Sequence, residues 1–217
     1  MNTGSARPSI TGLILAGGRA SRMQQQDKGL LQLDGRSLTE HVIARLAPQV
    51  ATVAINANRN LNEYARFGFP VWRDQCFNPD LPDEDRFQGP LAGLETGLIH
   101  CTTPYLLSVP CDSPFLPENL ALRLMTGLTE QNASIAVATT GDRDNPRLQP
   151  VFCLMPAGCL TQVRHYFHNG GRRMDGWHQN LKVARVYFPD ESEFKNINTP
   201  NELQECATEP VAHQIEK

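Results

Sequence analysis

The apolar residues of the chain fall in short runs separated by polar stretches. Ile10–Leu15 is a largely apolar run that stops at Gly17-Gly18, the pattern of a strand buried on both faces. Val50–Asn56, Val71-Trp72, Tyr105–Val109, Ser134–Thr140, Val151–Leu154 and Lys182–Phe188 read as further strands. Helical segments lie between them. Ser37-Leu-Thr-Glu40 has the spacing of a capping box and predicts a helix to Leu46, with Pro48 just beyond. Asn60–Phe67 predicts a short helix stopped by Gly68, and Gly89-Pro90 opens another that runs to His100. Pro117–Gln131 and Leu160–His168 predict two more, and Thr199 caps a last one over Pro200–Cys206. Gln75–Gln88, rich in Pro, Asp and Glu, predicts a long loop.

Strands and helices alternate at βαβ spacing. The expectation is an α/β protein with a mostly parallel sheet and helices on both faces. One domain is expected over residues 10–206, between flexible tails at 1–9 and 207–217. In such sheets ligands bind at the carboxyl ends of the strands. Gly17-Gly18, Asn56, Asp74 and Asp112 end four of the predicted strands and converge on that edge.

Composition narrows the partners. The net charge of -3 argues against a general nucleic-acid binder. An anionic ligand must then be held by local cations and backbone N–H groups. The six cysteines form no C-x-x-C pair, so they read as reduced thiols of a cytoplasmic protein rather than a zinc site. No apolar stretch is long enough to span a bilayer, and residues 1–9 hold no signal-peptide core.

The glycine-led segment LAGGRASRMQQQDKGL carries the chemistry. It lacks the G-x-x-x-x-G-K-[ST] of a P-loop and the G-x-G-x-x-G of a dinucleotide site. Gly17 and Gly18 let backbone approach a ligand, and Arg19, Arg22 and Lys28 follow within one loop. This suits a nucleoside triphosphate. Asp112 at a strand end suits Mg²⁺, which takes one or two carboxylates beside phosphates and waters. A solvated turn at the glycines and a turn aspartate at 112 are the bland alternatives.

Arg164, His165, His168, Arg172 and Arg173 read as a solvated basic helix end, with a phosphate dock as the functional alternative. Trp72 and Trp177 read as packing residues, Cys111 as a small buried residue, and the acidic Asp80–Asp85 as a solvated loop.

Five elements in order give a resemblance: Leu15–Met23, Asp27–Leu30, Gly89–Gly93, Pro110–Pro114 and Asn196–Leu203. Together they resemble the molybdenum cofactor guanylyltransferases, within the nucleotidyltransferases built on a three-layer Rossmann-like sheet. The resemblance implies transfer of GMP from GTP to the terminal phosphate of molybdenum-bound molybdopterin, with release of pyrophosphate. It implies that Leu15, Ala16, Gly17 and Gly18 line the nucleotide site, that Lys28 contacts the phosphates, and that Asn56 and Asp74 contact the nucleoside. Arg22 and Lys28 then supply positive charge for catalysis, and Asp112 contacts the nucleotide and holds Mg²⁺. Gly89, Pro90, Leu91, Asn196 and Asn198 fall on the pterin side. A monomer is expected, in transient contact with proteins that deliver molybdopterin and accept the product. Gln24-Gln25-Gln26 departs from the glycines usual in that family. The open rivals are a cytidylyltransferase on the same acceptor, a sugar- or polyol-phosphate nucleotidyltransferase, and a nucleotide- or pterin-binding module without turnover.

Overall fold

The computed structural model describes residues 9–17, 27–76, 78, 80, 81, 88–199, 202 and 203. Seven strands form the main sheet: β1 (Ile10–Leu15), β4 (Thr52–Asn56), β5 (Val71–Trp72), β6 (Tyr105–Pro110), β7 (Ile135–Thr140), β8 (Arg147–Pro156) and β9 (Val183–Tyr187). Their order is β5-β4-β1-β6-β8-β7-β9. All neighbours run parallel except β8, which is antiparallel to both β6 and β7. The helices are α1 (Leu38–Leu46), α2 (Leu61–Ala65), α3 (Pro90–His100), α4 (Leu120–Glu130), α5 (Leu160–His168) and α6 (Met174–His178).

Strand periodicity builds two cores. Along β1, Ile10 and Ile14 face one cluster with Val42 and Leu46 of α1 and Leu120 and Leu124 of α4. Leu13 faces the other, with Leu94 and Leu98 of α3, Phe167 of α5 and Trp177 of α6. A residue pair one apart thus feeds opposite faces, and the result is the three-layer α/β sandwich expected from the spacing.

The capping box forms as predicted: Ser37 Oγ accepts from Glu40 N–H, and Glu40 Oε2 accepts from Ser37 N–H. Two local readings are corrected. The strand expected at Val151–Leu154 extends over Arg147–Pro156. Its ladder with β7 jumps from Val137↔Cys153 to Ala138↔Gln149, a bulge containing Pro150, and this break hides the outer half from a periodicity search. The helix expected from Pro117 begins at Leu120, after a turn. The sequence reading also passed over the β2–β3 hairpin (Gln32–Leu33 with Arg36–Ser37) and α6. The hairpin turn is Asp34-Gly35, both at positive φ, an Asp-Gly signal on strands too short to show alternation.

Sheet order places the site. From β1 the chain goes to β4 on one side, and β6 returns on the other. The crevice at their carboxyl ends is a topological switch point, where open α/β sheets bind ligands.

Candidate active site

At that switch point Leu15, Ala16, Lys28, Pro90, Asp112 and Asn196 line one cleft, together with Asp27, Arg59 and Val151. The structure therefore brings together residues from five separate predicted elements. Gly18, Arg22 and Gln24–Gln26 lie outside the described residues.

Lys28 is aimed by its neighbours. Asp27 accepts from the Tyr64 hydroxyl at 2.6 Å and from Asn60 Nδ2 at 3.3 Å. Thr39 Oγ1 donates to Gly29 O at 2.8 Å. Any Cβ at Gly29 would collide with the Tyr64 and Thr39 hydroxyls, so glycine is required for the close approach. Pinned on both sides, Lys28 places its ammonium 3.5 Å from Asp112 Oδ2 and donates to Asn198 Oδ1 at 2.6 Å. Burial pushes the Asp112 carboxyl up, and the Lys28 charge opposes that.

The chain end closes the same cleft. Ile197 N–H donates to Asp112 O at 2.9 Å, and Ser113 Oγ donates to Asn196 Oδ1 at 2.6 Å. Asn198 N–H donates to Glu202 Oε2 at 2.6 Å, while Glu202 N–H donates to Thr199 Oγ1. The described part of the final helix thus fits the predicted Thr199 cap. The Lys28–Asp112 and Ser113–Asn196 contacts each cross more than eighty residues of sequence.

Asn56 and Asp74 are both buried, and Asn56 packs beneath Gly17 and Gly93. Asn56 Nδ2 donates to Asp74 Oδ1 and Asn58 Nδ2 to Asp74 Oδ2, each at 2.7 Å. Asp74 N–H returns a bond to Asn58 Oδ1 at 3.0 Å. Burial raises the Asp74 carboxyl, and the two amides partly offset it. A Cβ at Gly93 would fall inside the Asn56 amide, which is why the second glycine of GPLAG is a glycine. Asn58 was missed from sequence. Its signal was present, because Asn56 and Asn58 at i and i+2 project to one side of a strand end.

Two further sequence readings meet the structure here. Gly89 stands just before α3 with a φ of 81° and Pro90 reaches the cleft, but Leu91 is fully buried in the core and its side chain does not line it. The basic segment is tied down internally. Arg164 Nε and His168 Nε2 both bond the buried Glu95 Oε1, Arg173 pairs with Asp175, and Arg172 donates to Phe167 O. Trp177 is buried, as expected of a packing residue, and Trp72 stacks on His100. Cys111 borders the cleft but is buried, as expected of a small packing residue, and desolvation pushes its thiol well up. The five described cysteines are free.

Among the described residues no cluster of three or more His, Cys, Asp or Glu could cage a metal. The single buried carboxylate of Asp112 fits a different arrangement: Mg²⁺ shared with substrate phosphates and waters. No helix among the described residues is long and apolar enough to cross a membrane.

A family model described as the MobA-like NTP transferase domain matches residues 12–182. The chain belongs to this family. The curated molybdenum cofactor guanylyltransferase of Cupriavidus necator is 48% identical over 200 residues, spanning 92% of this chain and 96% of that protein. That of Ralstonia nicotianae is 49% identical over 203 residues, spanning 91% and 96%. The fold matches the molybdopterin-guanine dinucleotide biosynthesis protein A of Archaeoglobus fulgidus with a TM-score of 0.68 at 19% identity, over 91% of this chain and 96% of that one. It matches 4-diphosphocytidyl-2C-methyl-D-erythritol synthase of Anaerococcus prevotii equally well, with a TM-score of 0.69 at 12% identity, over 91% and 94%. The MobA-like fold therefore does not by itself select the substrate.

Proposed function

We infer that this nucleotidyltransferase moves GMP from GTP to the terminal phosphate of molybdenum-bound molybdopterin, yielding the guanine dinucleotide form of the cofactor. The observation that carries this reading is near-half identity, along almost the whole chain, to curated molybdenum cofactor guanylyltransferases. The cleft supplies what the reaction needs.

An oxygen of the acceptor phosphate attacks the α-phosphorus of GTP. The bond from that phosphorus to the bridging α–β oxygen breaks, and pyrophosphate leaves with the electron pair. The attacking phosphate is largely ionised near neutral pH, its second pKa being ~6, so no general base is needed. Catalysis then rests on positioning and charge stabilisation. Lys28, held between Asp112 and Asn198, meets charge on the phosphates. Arg22 adds a second cation, and the backbone N–H groups of Gly17 and Gly18 add dipoles. Asp112 would hold Mg²⁺, which when bound neutralises the triphosphate. Asn56 and Asp74, locked through Asn58, present fixed polar groups to the nucleoside. Pro90, Asn196 and Asn198 stand on the acceptor side. The same reading puts the reaction in the cytoplasm.

The test is pyrophosphate release by the purified protein with Mg²⁺, molybdopterin and molybdate, offered GTP, CTP or ATP in parallel. Release with GTP alone, dependent on the pterin, is expected. Release with CTP instead would move the protein to the sister activity. Binding of GTP without any release would make it a binding module.

A further inference from the structure

Asp27 stands next to Lys28 in the chain, and both line the cleft. A loose carboxylate at that place would do harm in two ways. It would repel a triphosphate, and it would compete for the Lys28 ammonium. The structure leaves Asp27 no such freedom. Tyr64 Oη donates to Asp27 Oδ1 at 2.6 Å, and Gly29 N–H donates to the same oxygen at 3.3 Å. Asn60 Nδ2 donates to Oδ2 at 3.3 Å. Lys28 turns instead to Asp112 and Asn198.

Capping alone does not call for this arrangement. As N-cap of the one-turn helix Lys28–Leu30, Asp27 uses only the bond from Gly29 N–H. The other two donors come from a distant segment, and each is suited to the task. Tyr64 is fully buried on α2. Burial pushes its hydroxyl well above the ordinary tyrosine range, so it keeps its proton and stays a donor. Asn60 stands just before α2 in the left-handed region, with φ 49° and ψ 34°, a backbone that Asn adopts more readily than most residues. The run Asn56-Ala57-Asn58-Arg59-Asn60 thus directs two amides to Asp74 and a third to Asp27. One strand end holds two carboxylates still.

We propose that Tyr64 and Asn60 are positioning residues that hold the Asp27 carboxylate off Lys28 and off the incoming triphosphate, so that the Lys28 ammonium is kept for the phosphates. This rests on the reading that Lys28 meets the phosphates of GTP. Tyr64 has no exposed surface with which to touch substrate, so it acts only through Asp27. Freed of its two donors, Asp27 becomes an inhibitor built into the cleft.

Rescue tests this. Tyr64→Phe keeps the ring and removes the hydroxyl. It should weaken the Kd for GTP with Mg²⁺ about tenfold and lower kcat with molybdopterin. Adding Asp27→Asn to Tyr64→Phe should recover most of that loss, because an amide carries no charge and still caps the turn. A merely structural tie predicts the reverse, with the second substitution adding damage. The proposal falls if the double variant binds GTP no better than Tyr64→Phe, or if Tyr64→Phe leaves Kd unchanged. If Tyr64→Phe does not fold, Asn60→Gly removes the other donor and keeps the left-handed backbone. The same cycle with Asp27→Asn is then read for a smaller loss and the same rescue. If the wild-type protein binds GTP but makes no dinucleotide, the functional reading fails on its own and the Kd cycle still decides the clamp. If it binds no GTP, the rate at which trinitrobenzenesulfonate labels Lys28, followed by mass spectrometry, decides. Slower labelling in Tyr64→Phe, restored in the double variant, supports the clamp, and equal rates overturn it.

Discussion

The two halves of the sheet bury polar groups in different ways. On the β5-β4-β1-β6 side they come in partnered sets. Asp74 takes bonds from two asparagines, and Asp112 faces a lysine. Under the β8-β7-β9 side, α6 buries Trp177 Nε1 and both ring nitrogens of His178 without a hydrogen-bonding partner among the described residues. An unpartnered buried polar group costs roughly 1–3 kcal/mol. An imidazole limits that cost by staying neutral, and burial pushes His178 down to about 4. Carboxylates needed as charges have no such escape. They are buried only where donors already stand: two amides at Asp74, Lys28 at Asp112, and Arg164 with His168 at Glu95. Burial of a carboxylate thus demands partners that burial of an imidazole does not.

The largest effect that can break this contrast is at Asp112. Asp112→Asn should cut kcat roughly a thousandfold while GTP Kd changes far less; unchanged turnover would remove Asp112 from the chemistry. Its stability effect should have the other sign. A carboxyl raised by burial binds more protons folded than unfolded, so stability falls as pH rises through the window above the ordinary carboxylate range. The neutral variant should melt at an equal or higher temperature at pH 7 without ligand.

His178 should behave oppositely. Its folded value near 4 lies below the ordinary 6.5, so the unfolded chain takes the proton first as pH falls. Stability is complete above 6.5 and declines towards 4, by up to ~3 kcal/mol. Urea unfolding at pH 5 and pH 7 measures the slope, and His178→Leu should flatten it. A slope that survives the substitution belongs to other groups.

Asn58→Ala should come next. It strips one amide from Asp74 and should cost about 2 kcal/mol, with KM for GTP raised several-fold and kcat moved less. Equal losses in both would put Asn58 at the reacting phosphates instead. The smallest effect is expected from Gln24→Gly with Gln25→Gly, a few-fold tightening of GTP if that loop touches the phosphates. An unchanged Kd in a titration excludes the contact.

Much of the frame was legible from sequence because local physics decides it. Ile10–Leu15, the Ser37–Glu40 box and the Pro90 helix start each stand where their residues predict. The positions of Asn56, Asp74 and Asp112 at or just beyond the ends of β4, β5 and β6 were legible too, from the apolar runs that precede them. What escaped notice was short or irregular. The Asp34-Gly35 hairpin has two-residue strands, and the bulged β8 breaks alternation at Pro150. Leu91 belongs to a motif that lies at the site, while its own helical position turns its side chain into the core.

By itself, then, the sequence determined the α/β class, the polar residues that follow the strand ends and the family, because periodicity, capping and motif order are local properties of the chain. Only the tertiary structure decided that β8 runs antiparallel, that Lys28 is shared between Asp112 and Asn198, and that Asn58 locks Asp74. It alone tied the basic helix end to Glu95. Those are contacts between distant segments, and a charged side chain shows its partner only once the sheet has brought the two together.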